Sequence, residues 1–109
     1  MTTAFMVAPR SQYRRPKPTR NSARRAFCRR LPCIACRGFR YVEAAHVGPH
    51  GLGQKADDFD TLPICRWHHR ISDYSLHALG PAKFQERYHL SFEYWLKEIN
   101  EWYTREIGV

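Results

Sequence analysis

From Ser91 onward the apolar residues recur at helical spacing, with Phe92, Trp95, Leu96, Ile99, Trp102, Tyr103 and Ile107 on one stripe. That period predicts a last helix, capped by Ser91 and stopped by Gly108, whose aromatic stripe packs into a core rather than serving as a base-stacking platform. Gly80 and Pro81 break the chain just before, and Pro81 suits the first position of a helix over 82–88. From Arg66 the pattern is again helical. His69, Asp73 and His77 fall at i, i+4 and i+8 on one stripe, while Trp67 and Ile71 pack inward. Ser72, Tyr74 and Ser75 are indifferent helix formers, and a stop there takes His77 off the stripe.

The middle of the chain reads as extended. Phe39 to Val47 predicts a strand in which Val42, Ala44 and His46 share one face and Tyr41, Glu43 and Ala45 the other. Thr61 to Cys65 predicts a second short strand, with Pro63 arguing for an edge position. Between them lies a polar loop rich in glycine, with Lys55, Asp57, Asp58 and Asp60. Ser22 is a candidate cap for a helix through Arg30, with Ala23, Ala26, Phe27 and Leu31 on one face and the arginines outward. Residues 1–21 have prolines and no apolar periodicity, which predicts a disordered basic arm ahead of a single domain over 22–109. The fold class is α+β, and there are no internal repeats.

Charge sharpens this division. Residues 1–40 carry eleven Lys and Arg and no acid, whereas residues 41–109 carry seven basic and ten acidic side chains, so the parts stand at +11 and −3 and sum to the +8 of the chain. The arm and its root, with Arg14, Arg15, Lys17, Arg20, Arg24, Arg25, Arg29 and Arg30, together with Lys55 in the loop, form the candidate nucleic-acid contacts. Such cations release counterions from phosphates and give sequence-independent, salt-sensitive affinity. No stretch has the apolar length of a membrane span, and the N-terminus lacks a secretory core, so a cytoplasmic setting is expected.

A chain of 109 residues builds a small core and benefits from a staple. Cys33 and Cys36 form Cys-x-x-Cys, and Cys65 with His68 forms Cys-x-x-His. Two tight pairs of this kind suit tetrahedral zinc better than disulfides, and a reducing cytoplasm agrees. His69 in place of His68 is the alternative fourth ligand. Cys28 is left over as an unligated thiol.

Taken in order, Cys33-x-x-Cys36, the AAH ending at His46, the G-x-G-x-K-x-x-D run from Gly51 to Asp58, and LPIC-x-x-HH resemble the HNH nucleases of the His-Me finger superfamily, nearest to small phage and prophage members. The resemblance covers residues 31–77. It implies a small ββα-metal finger stapled by the zinc site and flanked by the basic arm and the C-terminal helices. It further implies that His46 is the general base and that Asp58, with Asp57 as a near alternative, braces it. His69 would hold a catalytic divalent ion from the helix, with Asp73 one turn on and His77 beyond. Family members often carry a further ligand directly before the base, where this chain has Ala45; Glu43, His50, His77 or water would fill that gap.

The expected activity is therefore metal-dependent hydrolysis of DNA phosphodiester bonds, in phage or prophage DNA recombination or processing. Structural Zn2+ and catalytic Mg2+ or Mn2+ are the expected cofactors, with Zn2+ or Ni2+ also compatible with imidazole ligation. DNA is the expected partner, held mainly through its backbone. A zinc-stapled DNA-binding module without catalysis is the rival reading.

Overall fold

In the computed structural model, residues 20–48 and 57–107 are described. The arm contacts Arg14, Arg15 and Lys17, the loop residues Lys55 and His50, and the stop at Gly108 lie outside them.

The protein is a small α+β domain in which a two-stranded antiparallel sheet is enclosed by helices. Helix α1 spans Ser22–Arg29, strand β1 Val42–His46 and strand β2 Thr61–Cys65; α2 spans Leu76–Leu79, α3 Pro81–Tyr88 and α4 Phe92–Ile107. The register pairs Val42 with Cys65 and His46 with Thr61, so the two ends of the hairpin carry different chemistry.

All five residues of β2 are buried, whereas β1 buries Val42 and Ala45 and departs from strict alternation. Pro63 sits opposite Ala44 without a donor of its own, and its carbonyl accepts the Ile34 N–H at 3.0 Å. That bond seats the Cys33–Cys36 knuckle on the strand. Within the knuckle, the Cys33 N–H donates to Gly38 O (2.8 Å) and the Arg37 N–H to Cys33 O (2.7 Å). The left-handed conformation of this turn falls at Arg37, with φ 65°.

Two expectations about α1 need correction. Asn21, not Ser22, is the cap: its side chain accepts the Arg24 N–H at 3.0 Å. Arg24, expected to face solvent and phosphates, points inward and is fully buried. Its guanidinium donates to Asn100 Oδ1 (2.8 Å), Thr61 Oγ1 (3.1 Å) and Thr61 O (3.0 Å). It is excluded from nucleic-acid contact and serves as a polar tie between α1, β2 and α4. The apolar part of α1 lies around it, with Cys28 buried and Phe27 and Leu31 against the core.

The stripe on α4 is core in its middle: Phe92, Ile99 and Tyr103 are buried, while Trp95 and Leu96 pack beside them. Tyr103 meets Phe27 and Phe59 edge-on, at ring centroid distances of 5.3 and 6.0 Å, a favoured aromatic geometry. Trp102 remains 43% exposed. Ser91 accepts the Tyr94 N–H at 3.2 Å and starts the helix as expected. Pro81 likewise opens α3. Among the described residues, no helix is long and apolar enough to cross a membrane.

The segment after β2 differs from a regular helix. Trp67–Ile71 forms one wide π-turn closed by Ser72 N–H to Trp67 O at 2.9 Å, and Ser72 then turns extended, with ψ 153°. A short α2 follows from Ser75. The continuous stripe His69, Asp73, His77 therefore does not exist as such, and Trp67 and Ile71, expected to pack inward, are exposed because the π-turn rotates them away from the core. Asp73 stands exposed in the bend.

Candidate functional site

The zinc ligands expected from spacing are gathered by the fold. Cys33 and Cys36 come from the knuckle, Cys65 from the end of β2, and His68 from the π-turn, and their ligand atoms all lie within 4.8 Å of one another. Cys36 Sγ is 3.9 Å from Cys65 Sγ, and Cys65 Sγ is 3.2 Å from His68 Nδ1. A tetrahedron of metal–sulfur bonds of about 2.3 Å has S–S edges of roughly 3.8 Å, so the donor set fits a zinc ion.

The electrostatics point the same way. Burial, with the neighbouring Cys33 and Cys36 thiols adding to it, pushes the Cys65 thiol up to about 11. Without a cation this thiol stays protonated near pH 7, and only a bound cation would hold three thiolates here. Burial also lowers the pKa of His68, which keeps its imidazole neutral and able to ligate. The Ala35 N–H points at Cys33 Sγ at 3.4 Å, a donor that suits a thiolate. His69 is turned elsewhere, so the fourth position belongs to His68.

At the other end of the hairpin, His46 Nε2 lies 2.9 Å from Asp58 Oδ1. Asp58 opens the 3-10 turn Asp58–Asp60 and has a fully buried side chain whose second oxygen accepts the Asn21 N–H (2.7 Å) and Arg25 Nε–H (3.1 Å). Arg20 stands 3.7 Å from Oδ1. Burial opposes the charge of this carboxylate. The hydrogen bonds from His46 and Asn21 and the Arg25 guanidinium outweigh it, and the net pKa is lowered. Asp58 is thus an ionised brace. Asp57 does a different job, accepting the Phe59 N–H at 2.8 Å to cap the turn.

Gly48 follows the histidine strand where the chain passes Asp60 too closely for a side chain, since a Cβ there would collide with the Asp60 carboxylate. Between His46, Val47, Gly48, His77 and Pro81 opens a cleft of about 430 Å³. His77 stays near the site although the helix breaks, its ring centroid 4.7 Å from that of His69. His69 Nδ1 is 2.7 Å from Glu43 Oε1, and the Arg70 guanidinium forks onto the same carboxylate. The hydrogen bond from Arg70 outweighs partial burial and, with that from His69, holds Glu43 at a pKa of about 2. Burial lowers the pKa of His69 despite Glu43, so its imidazole is neutral near pH 7 with Nε2 unprotonated.

Among the described residues, His46, His69, Asp73 and His77 do not form a set of three ligands within bonding reach of one ion, unlike the cysteine-containing quartet. Ala45, the position before the base, is fully buried and contributes nothing to the cleft. Sequence reasoning named Glu43 only as one of several fillers for that gap. Its pairing with His69 follows from the hairpin placing residue 43 near the π-turn. The role of Arg25 as a partner of Asp58 carried no sequence signal. Arg29 and Arg30 are exposed. Compared with known protein families, with curated proteins and with solved structures, the chain has no match.

Proposed function

We propose that the chain is a metal-dependent DNA endonuclease of HNH type, with β1, β2 and the segment from Arg66 to Leu79 as its ββα-metal finger. The observation that carries this reading is the 2.9 Å bond from His46 Nε2 to Asp58, in a histidine that also borders the cleft. An ionised, buried Asp58 selects the tautomer with the proton on Nε2. Nδ1 is then left as the acceptor for a proton from water. A base poised in this way takes a proton from water, whose oxygen then attacks the phosphorus as the 3′ oxygen departs.

Among the described residues outside the zinc site, His69 is the candidate ligand for the catalytic divalent ion. Its Nδ1–H is fixed by Glu43, an arrangement that orients an imidazole and raises its donor strength toward a metal. His77 would share the ion from the adjacent ring, with phosphate and water oxygens completing the sphere. Bound Mg2+ or Mn2+ would supply stabilisation of charge on the scissile phosphate and the departing oxygen. The exposed Arg29 and Arg30, the Arg20–Arg25 pair beside Asp58, and the basic residues preceding Arg20 favour DNA as the substrate.

The lack of a three-ligand set around His69 among the described residues favours a second reading, a zinc-stapled DNA-binding module without catalysis. Plasmid nicking with added Mg2+ or Mn2+ separates the two. The nuclease nicks, and His46→Ala abolishes nicking while the fold and DNA retention persist. Wild-type protein that binds plasmid and never cuts with any divalent ion is the module.

A further inference from the structure

The hairpin end opposite His46 carries the zinc ligand Cys65 on its inner side, and its outward side has no part in the chemistry above. The ladder continues one step past Val42 and Cys65, with the Arg66 N–H donating to Tyr41 O at 2.8 Å. There the Arg66 guanidinium lies over the Tyr41 ring, 4.3 Å from its centroid. The chain next to this pair on both strands is aromatic and outside the core: Phe39 is 71% exposed, Tyr41 67% and Trp67 59%. Burying even one of these rings would stabilise a domain this small, so three left outward at one strand end indicate a surface with an occupant.

Two further observations define that occupant. Tyr41 adopts φ 55°, a left-handed conformation that is uncommon and costly for an aromatic residue, and it belongs to the turn carrying Phe39 and Tyr41 into solvent. The segments that carry these rings are also charged in one sense only. Residues 20–42 and 61–72 contain no Asp or Glu, while Arg40 lies between Phe39 and Tyr41 in the chain and the Arg66 guanidinium covers Tyr41. The nearest acid on β1, Glu43, is engaged by Arg70 and His69. Flat π-faces interleaved with guanidinium groups complement a polyanion with exposed planar bases.

We propose that the Phe39, Tyr41 and Trp67 end of the hairpin is a stacking platform for unpaired bases of single-stranded DNA, with Arg40 and Arg66 on the phosphates. Resting on the nuclease reading, the platform sets the substrate class: DNA with an unpaired stretch beside the cut. Val42 and His46 close the two ends of β1, four residues and about 14 Å apart at roughly 3.4 Å per residue, with Tyr41 just beyond Val42. That distance spans about four nucleotides of a stacked strand.

The test is fluorescence anisotropy with the full chain, without added divalent ion or chelator, on labelled oligo(dT) and on a blunt duplex of equal length. Wild type prefers oligo(dT). Tyr41→Ala and Trp67→Ala each weaken oligo(dT) binding about tenfold and leave duplex binding unchanged, and Trp67→Phe, which keeps a ring, restores it. Equal losses on both probes, or none on either, overturn the platform, as does a wild-type dimer in sedimentation that these variants dissolve with DNA binding intact. Plasmid nicking is scored separately. Selective oligo(dT) binding without nicking leaves the platform standing and removes the nuclease, whereas nicking with indifferent variants does the reverse. Unchanged melting temperatures show that the exposed substitutions act locally.

Discussion

His46 and Asp58, twelve positions apart, meet at 2.9 Å because the 3-10 turn after the loop returns the carboxylate to the strand that carries the imidazole. Asp58 also takes the Asn21 N–H and Arg25, so it is at once a brace for the histidine and a joint between helix and sheet. Asp58→Ala is expected to lower nicking by about 10²-fold or more and to destabilise the fold by about 1–3 kcal/mol through orphaned donors. His46→Ala is expected to reproduce the first effect with little of the second. Supercoiled-plasmid nicking and thermal melts on both variants check this contrast.

Zinc is expected at one ion per chain, held by Cys33, Cys36, Cys65 and His68. Removal by a strong chelator should unfold the domain, because metal binding here supplies folding free energy to a small core. Native mass spectrometry and circular dichroism before and after chelation give the answer, and a melt indifferent to chelator would speak against the site.

Glu43 supplies a pH signature. Its pKa falls from 4.5 in the unfolded chain to about 2 in the fold, so the folded state favours the ionised form. The stabilisation is fully present above pH 4.5 and drains away as pH falls toward 2. Glu43→Gln should therefore cost stability at pH 7, with a penalty that shrinks between pH 4.5 and pH 3. Denaturant midpoints of wild type and variant along that series measure it, and a constant difference would show that Glu43 is not ionised by Arg70 and His69.

Arg24 and the residues before Arg20 should behave oppositely. Arg24→Ala leaves a cavity and unpaired groups on Thr61 and Asn100, an expected loss of about 3 kcal/mol, with the salt dependence of DNA binding unchanged for the folded protein. Deleting residues 1–19 removes Arg10, Arg14, Arg15 and Lys17 but spares the Asn21 cap. It should leave the melt unchanged and make the log–log salt slope shallower by up to about 4.

Much of this architecture is legible along the chain because it rests on local signals. The α4 stripe, Pro81 at its helix start, the extended runs around His46 and Ile64, and the two ligand pairs of the zinc site all follow from spacing. What the sequence hides depends on distant partners. A basic helix reads as a solvated face, and nothing near Arg24 announces that Asn100, 76 positions on, accepts its hydrogen bond. Ser72, Tyr74 and Ser75 mark where the helix can stop, and it does stop at Ser72, but the widening of Trp67–Ile71 into a π-turn has no local signature. His77 nevertheless returns to His69 because Ser75 caps a new helix, its hydroxyl accepting the Ala78 N–H at 3.2 Å.

The long reach of Asn100 also sets an order on folding during synthesis. Its side chain accepts from Arg24 and donates to Phe59 O at 3.0 Å, so it ties α1 to the turn that carries Asp58. On a growing chain that tie cannot close until translation has passed Asn100, 76 positions beyond Arg24.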